Sequence, residues 1–464
     1  MLRRMLRSTA VILLSLLCAS YFSAAQSTAA PTPADTAGKT SALSPSEAYR
    51  YAMQPFIDAR SAPNDLTDAD QWALGLGASR AHEQCEALVP AKLEGEDLLA
   101  MGRLCTFGQD LGPAEDALTA YLGLPKMADE KSARLVLTRI FVQLNSVTSA
   151  ESQIETLVST FPYDADIHWA IDQVIDAAEA EKGGVSTVKM EGEDTTHPVP
   201  VPAGDSRTVR LLNELQLPFI LKTLAAGGTL KTSDSTVDAA VMVRDGLRCA
   251  DAMREAGKQK DAADLVEQLK TLTLVPAIMQ SASEPAIESA FARYILAGRP
   301  APIQELRGML VAKTPVPAIR RFAGKTTVLV AFSLGAPQFH DAVTKLDAQL
   351  EHSAPKQPMQ LIAITSYAAM NGVDEKSDEV LKTLQALQTT LPPGMPMMIV
   401  PETDLKAFAI DAFPAAAVID SAGKIAYLNL FPGTAGSVQL VLRAANAPAT
   451  PPSSTKLAGA ASRQ

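Results

Sequence analysis

The sequence has few of the side chains that carry metal, thiol or cofactor chemistry. Its 464 residues include four cysteines and five histidines, and no two cysteines form a Cys-x-x-Cys motif. No spacing of cysteine and histidine fits a zinc site. A P-loop, a Gly-x-Gly-x-x-Gly fingerprint and a serine-hydrolase elbow are lacking at the strand–helix junctions. These absences exclude the common nucleotide, zinc and serine-hydrolase sites, and no metal or cofactor is predicted.

Acidic residues outnumber basic residues in this sequence. The chain has 41 lysines and arginines against 51 aspartates and glutamates, a formal net charge of −10 at pH 7. Nucleic acids and anionic membrane surfaces attract basic proteins, so an acidic chain is not expected to bind either of them. Charge of this size favours solubility and leaves the oligomeric state open.

An apolar run near the N-terminus is too short to span a bilayer, and no later segment is a candidate for a membrane span. Residues 1–7 are basic, residues 10–19 are apolar, and residues 23–25 supply the small side chains that precede a cleavage site. This pattern predicts a signal peptide over residues 1–25 and a periplasmic or secreted protein without a membrane span after cleavage. Retention as an N-terminal anchor and lipidation at Cys18 are the alternatives.

Residues 45–297 have an almost continuous helical pattern. An apolar helix, a glycine or polar turn and a second helix with small residues recur, most clearly over residues 98–121, 133–161 and 245–269. This arrangement resembles tetratricopeptide repeats, although the period drifts and the aromatic positions are mostly missing. The sequence predicts a helical-hairpin solenoid, with an unrelated helical bundle as the alternative. Proline and glycine interrupt the pattern over residues 181–207, which are predicted to form a long loop.

The chain ends and the cysteines add two further expectations. Residues 26–44 and 447–464 are rich in Ser, Thr, Ala and Pro, which predicts a disordered lead and a disordered tail. Cys85 and Cys105 could face each other across neighbouring antiparallel helices, either as a structural disulfide or as two buried free thiols. Cys249 lies among apolar residues of a helix and is predicted to belong to the core.

From residue 298 to 446 the pattern changes to alternating strands and helices. The runs 326–333 and 360–366 are continuously apolar, as expected for strands that are covered on both faces of a sheet. A second helix, a hairpin over residues 415–430 and a closing helix follow. The helix between the two strands places four apolar residues on one face, namely Phe339, Val343, Leu346 and Leu350. The sequence therefore predicts a multi-domain protein with an all-α N-terminal domain and an α/β C-terminal domain.

One stretch of this second domain is more specific. Residues 408–420 read Phe-Ala-Ile-Asp-Ala-Phe-Pro-Ala-Ala-Ala-Val-Ile-Asp and are followed by Gly423-Lys424. The stretch is similar to a motif of extracytoplasmic thioredoxin-like proteins of the TlpA/redoxin type. The resemblance implies that Pro414 is a cis-proline and that the backbone of Phe413 lies beside the start of the first helix. In the family that place engages extended peptide, so protein or peptide partners are implied.

The chain departs from the family at the start of that helix. Family members have Trp-Cys-x-x-Cys there, whereas this sequence has Ala336 near the Trp position and Pro337 and His340 near the cysteine positions. Dithiol–disulfide exchange by this domain alone is therefore excluded. His340 is either a solvated side chain or a general base or ligand near the helix end. The candidate peptide groove consists of Gly335, Ala336, Pro337, His340, Phe413 and Pro414.

Two functional hypotheses follow. The first is an exported interaction or scaffold protein with a redox-inactive thioredoxin-like domain that binds peptide or protein partners. The alternative is a thiol–disulfide oxidoreductase in cell-envelope redox homeostasis, which would have to use Cys85, Cys105 or Cys249. Whether the protein is an enzyme stays open at this point.

Overall fold

A computed structural model describes most of the chain in twelve stretches. They are residues 43–61, 68–181, 185–189, 196–200, 206–232, 235–311, 322, 324–334, 338–353, 359–370, 378–392 and 394–447. The predicted signal peptide, nearly all of the predicted lead and tail, and the site residues Gly335, Ala336 and Pro337 lie outside them. None of the helices within these stretches has the length and apolarity needed to cross a membrane.

The chain divides into two compact units. The first comprises residues 1–219 and 229–237, and the second comprises residues 220–228 and 238–464. The predicted domain boundary at residue 298 therefore lies within the second unit, where the last helices of the helical region accompany the α/β part.

The first unit is built mainly of helices. They are α1 (Pro45–Ser61), α2 (Asp68–Glu86), α3 (Glu96–Phe107), α4 (Leu111–Leu122), α5 (Glu130–Gln143), α6 (Val147–Thr160), α7 (Ala165–Glu181) and α8 (Ser206–Arg210). The first six pair in chain order, α1 with α2, α3 with α4 and α5 with α6. In the middle of α3, Gly102 lets α4 approach closely, because a Cβ at this position would lie 2.4 Å from Leu118 Cγ. A π-helical turn (Leu211–Gln216) joins α8 to α9 (Leu217–Ala225), which belongs partly to each unit.

The predicted loop over residues 181–207 contains a hairpin of two antiparallel strands, β1 (Val185–Lys189) and β2 (Thr196–Pro200). In this respect the prediction of an irregular loop is wrong. In a two-stranded ladder alternate N–H groups point away from the partner strand. Prolines at alternate positions, Pro198 and Pro200, are therefore compatible with pairing, although their density suggested a loop. A second short pair, β3 (Leu230–Lys231) and β4 (Thr236–Val237), completes this unit.

The second unit starts with four helices and continues into a six-stranded sheet. The helices are α10 (Ala239–Glu255), α11 (Gln259–Thr273), α12 (Pro276–Met279) and α13 (Glu284–Leu296). The α/β part comprises β5 (Met309–Leu310), β6 (Thr326–Ala331), α14 (Gln338–Ser353), β7 (Met359–Thr365), α15 (Asp378–Thr390), β8 (Met397–Ile399), α16 (Glu402–Ala407), β9 (Ala415–Ile419), β10 (Ile425–Leu430) and α17 (Ala435–Asn446). The predicted α/β region is thus confirmed.

The strand order in this sheet is β10-β9-β6-β7-β8-β5. The strands β6, β7 and β8 run parallel, and β9, β10 and β5 pair antiparallel to their neighbours. One face carries the apolar residues of α14, α15 and α17, and the other faces α16 and the segment around Ala301 and Leu306. All six residues of β6 are buried, which explains why the two threonines that open the strand are followed by the apolar run Val328–Ala331. This arrangement, a β-α-β unit followed by an antiparallel hairpin and a helix, is that of a thioredoxin-like region.

The edge strand β5 has two residues, Met309 and Leu310, which pair with β8. At Gly308 the backbone passes so close to β8 that a Cβ would lie 2.2 Å from the carbonyl oxygen of Ile399. The glycine therefore allows the chain to approach β8 closely just before the pairing begins.

Candidate binding site at the end of the sheet

The pairing of β6 with β9 brings the two halves of the predicted site to one end of the sheet. Ala331, the last residue of β6, lies opposite Ala415, the first residue of β9. Phe332, which follows β6, and Pro414, which precedes β9, therefore leave the sheet side by side. The Phe413–Pro414 peptide bond is cis. The carbonyl of Pro414 accepts a hydrogen bond of 2.8 Å from the N–H of Phe431, which fixes the proline to the chain after β10.

A pocket of about 380 Å³ opens at this end of the sheet. The end of β6, the first turn of α14 and the last turns of α15 form its walls. Its floor is apolar, because the rings of Phe332 and Phe339 are buried and stack with their centroids 4.1 Å apart. Ala386 lies on the exposed rim. The lining residues are Phe332, Ser333, Leu334, Phe339, His340, Thr383, Ala386, Leu387 and Thr390.

His340 forms one corner of this pocket. Its Nε2 lies 2.8 Å from the carbonyl oxygen of Thr390, the last residue of α15. Because a carbonyl only accepts, Nε2 carries the hydrogen and the ring caps the C-terminal end of α15. Within the described stretches no group of three metal-binding side chains occurs, at this corner or elsewhere. The ring thus joins the two helices on either side of the pocket.

The segment that leads into Pro414 begins where α16 ends. The N–H of Ile410 donates to the carbonyl of Leu405 at 3.0 Å, and Ala409 has a φ of 52°. A left-handed residue with such bonds is a usual way to end a helix, although glycine normally occupies it. We call residues 409–414 the proline loop. The second residue of this loop, Ile410, is buried, so the start of the loop is anchored in the core.

The proline loop is also held by a residue that the sequence analysis did not identify. Nη1 of Arg293, on α13, donates to the carbonyl of Ala409 at 2.8 Å and to Oδ1 of Asp411 at 2.9 Å. A signal for this role exists in the sequence, since Ile287, Ala290 and Arg293 recur at every third position. All three are buried, so the charged side chain of Arg293 continues the apolar stripe on the buried face of α13. Such a cation is expected to meet a buried partner.

At the end of the loop, Phe413 offers its backbone while its ring is partly buried. The ring packs against the core on the α16 side of the sheet. Within the part of the chain that the structure describes, neither the N–H nor the carbonyl of Phe413 has a hydrogen-bond partner. With respect to the described residues, both groups therefore remain available to the backbone of an extended ligand.

The three cysteines that follow the predicted signal lie away from this surface in sequence. Cys85 and Cys105, in the first unit, are buried and joined by a disulfide. Cys249, on α10, is a buried free thiol. Burial raises the pKa of Cys249, and the negative charge of Asp245 raises it further. A thiol in such surroundings carries little thiolate at neutral pH, and the thiolate is the nucleophile in disulfide exchange.

Comparisons with known proteins add little to this description. No protein-family model and no curated protein matches the sequence. The chain is similar to the thioredoxin domain of a thiol-disulfide oxidoreductase from Bacteroides vulgatus, at 14% identity and a TM-score of 0.23 over 31% of this chain and 95% of that chain. It is also similar to a thioredoxin-like superfamily protein, at 16% identity and a TM-score of 0.22 over 29% of this chain and 86% of that chain. The thioredoxin-like assignment rests on the strand order and connections of the sheet.

Proposed function

We propose that this protein binds extended segments of other proteins at the end of its sheet and does not catalyse thiol–disulfide exchange. The observation that carries the proposal is the apolar pocket that opens at the same end of the sheet as the cis-proline. The pocket accepts one apolar side chain of the ligand, and the N–H and carbonyl of Phe413 pair with the ligand backbone.

The strength of such binding follows from its parts. Burial of one leucine or phenylalanine side chain contributes about 1.5–3 kcal/mol. Two backbone hydrogen bonds add about 0.5–1.5 kcal/mol each. Since 1 mM corresponds to about 4.1 kcal/mol, a single site of this kind binds with a dissociation constant of about a millimolar. Useful affinity then requires a ligand that offers several such segments.

We further propose that the protein acts outside the cytoplasm after loss of residues 1–25. The disulfide between Cys85 and Cys105 supports this, because such bonds persist mainly in oxidising compartments. The N-terminal sequence of protein recovered from an exporting bacterial host tests it, and an N-terminus at Met1 would contradict it.

The binding proposal is tested with an unfolded protein as the probe. Fluorescently labelled, reduced and carboxymethylated α-lactalbumin stays unfolded and offers many apolar segments, and fluorescence anisotropy measures its affinity for the mature chain. Ala386→Asp places a carboxylate on the pocket rim at an exposed position, where the fold tolerates it. We expect affinity to fall about tenfold, because the charge loses solvation when an apolar side chain enters the pocket.

The matched control is Thr389→Asp, which adds the same charge to an exposed position of α15 outside the pocket. We expect its affinity to equal that of the unchanged protein. Equal losses for the two variants would show that charge alone weakens binding, and the pocket would then not be the site.

The oxidoreductase alternative has a separate test. Reduction of insulin by dithiothreitol is followed by turbidity, with the mature chain and with a variant that lacks Cys85, Cys105 and Cys249. We expect neither protein to exceed the uncatalysed rate. Acceleration by the mature chain alone would contradict the proposal.

A further inference from the structure

Arg293 is a cation in an apolar setting. It lies on α13, its side chain is only 6% exposed, and its helical neighbours at three and six residues before it, Ala290 and Ile287, are buried. Charged side chains are rarely buried to this extent unless they are paired. The function of Arg293 is therefore to be sought in its partners.

Both partners belong to the proline loop. One nitrogen, Nη1, donates to the carbonyl of Ala409 and to the carboxylate of Asp411, at 2.8 and 2.9 Å. Ala409 has a φ of 52°, a left-handed conformation that residues other than glycine, asparagine and aspartate rarely adopt. The two bonds fix the loop at its left-handed turn and again two residues later. Only Ala412 separates the second fixed point from Phe413.

A second nitrogen of the guanidinium, Nε of Arg293, argues against a purely stabilising function. It is buried, and no hydrogen-bond partner for it occurs among the described residues. A buried cation whose donors are only partly satisfied is costly, and an apolar residue of similar volume often gives a more stable protein. The docking of α13 on the sheet also has other links, such as the 2.8 Å bond between the N–H of Gly298 and the carbonyl of Ile425.

We infer that Arg293 is a positioning residue for the peptide-binding surface. It holds the proline loop so that the backbone of Phe413 faces the ligand, and α13 is thus part of the binding unit although it precedes the α/β region. The ligand-binding half of this inference rests on the proposed function, whereas the positioning of the loop stands without it.

The test uses the mature chain with Arg293→Met, which keeps most of the side-chain volume and removes both hydrogen bonds. Arg299→Met is the control, because Arg299 is exposed and its side chain is not part of the loop contacts. Hydrogen exchange of peptides from residues 409–413 reports the loop through the amides of Ala409 and Ile410, which donate to the carbonyls of Lys406 and Leu405. Anisotropy with carboxymethylated α-lactalbumin reports binding. We expect Arg293→Met to accelerate exchange in this segment about tenfold and to weaken binding about fivefold, with no change in peptides from β6 or β7.

Arg293→Lys keeps a cationic donor, and we expect it to restore part of both effects, which a loss of packing would not allow. If Arg293→Met does not fold, Asp411→Ala removes one of the two bonds at a partly exposed position and is expected to accelerate loop exchange. Unchanged exchange over residues 409–413 in the folded variants would overturn the inference. If the unchanged protein fails to bind the probe, the proposed function is wrong, and the exchange result still decides whether Arg293 positions the loop.

Discussion

The joint between α2 and α3 and the strand β6 are stabilised in different ways. The buried cluster at this joint consists of Ala48 and Ala52 of α1, Ala81 of α2 and Leu104 of α3, so three of its four residues are alanines. A disulfide connects α2 to α3, and a hydrogen bond of 2.8 Å connects His82 of α2 to Asp110, which precedes α4. In β6, by contrast, every residue is buried, and leucine and valine side chains fill both faces of the sheet.

The difference follows from how much apolar surface each place can bury. Burial of a methylene contributes about 0.8 kcal/mol, so three alanines stabilise a joint far less than the leucine and valines of a central strand do. Where small side chains bury little apolar area, a covalent bond and polar interactions supply more of the stability. The first unit should therefore depend on particular links at its N-terminal end, and the second on its buried volume.

The largest expected effect tests the second half of this comparison. Leu329, in the middle of β6, is fully buried, and we expect Leu329→Ala to lower the free energy of unfolding of the second unit by about 2–5 kcal/mol. Both tryptophans, Trp72 and Trp169, lie in the first unit. Urea unfolding followed by tryptophan fluorescence therefore reports the first unit, while hydrogen exchange of β6 and β7 reports the second. If the fluorescence midpoint showed that the first unit loses as much free energy of unfolding as exchange shows for the second, the separation of the two units would be contradicted.

The next effect concerns the disulfide. Cys85 and Cys105 are separated by 20 residues, and closing a loop of this size stabilises a fold by about 3 kcal/mol through the unfolded chain. We expect the variant with Cys85→Ala and Cys105→Ala to lose about that much in the first unit, seen as a lower fluorescence midpoint. Cys249→Ala is the control in the second unit and should leave the fluorescence midpoint unchanged. An equal midpoint for the double variant and the unchanged protein would show that the alanine contacts suffice.

Two glycines of the first unit give a smaller and sharper test of packing. A Cβ on Gly102 would lie 2.4 Å from Leu118 Cγ, whereas one on Gly75, also inside a helix, meets nothing within 4 Å. We expect Gly75→Ala to stabilise by about 0.5–1 kcal/mol, because alanine is the better helix former. Gly102→Ala should destabilise by about 1–2 kcal/mol, since overpacking outweighs that gain. Fluorescence-detected urea unfolding measures both, and the same sign for the two variants would contradict the close contact of α3 with α4.

Much of the fold could be predicted from the sequence because local pattern and tertiary position agree. The apolar runs of β6 and β7 and the stripe on α14 indicate a covered parallel sheet without further information. The close approach of Gly308 to the Ile399 carbonyl beside β5 could not be predicted in this way, because it depends on tertiary packing. The hairpin of β1 and β2 was missed because Pro198 and Pro200 suggest a loop unless their ladder register is known.

The residues of the candidate site also fall into two groups, those that local sequence identifies and those that only tertiary packing identifies. Phe413, Pro414 and His340 could be named from a short motif and from its position after a strand. The contribution of α15 to the pocket and of Arg293 to the proline loop could not, because tertiary packing alone brings these residues to the end of the sheet. A cation that continues a buried stripe marks a residue with a buried partner, but the stripe does not tell which partner it is.

The smallest expected effect is the pH dependence of the α2–α3 joint. The hydrogen bond that Nδ1 of His82 donates to the Asp110 carboxylate raises the pKa of His82 above its usual value, and the nearby carboxylates of Glu86 and Glu83 raise it further. A histidine whose folded pKa is raised adds stability that is complete below the unfolded value and is lost as pH rises through the folded value. The first unit should therefore be slightly less stable above pH 7 than at pH 6.

His82→Gln should remove this difference between the fluorescence midpoints. Because the His82 side chain is 48% exposed, the change is expected to be well below that of the disulfide variant. A pH dependence that survives in His82→Gln would contradict this prediction and assign the effect to another titratable group.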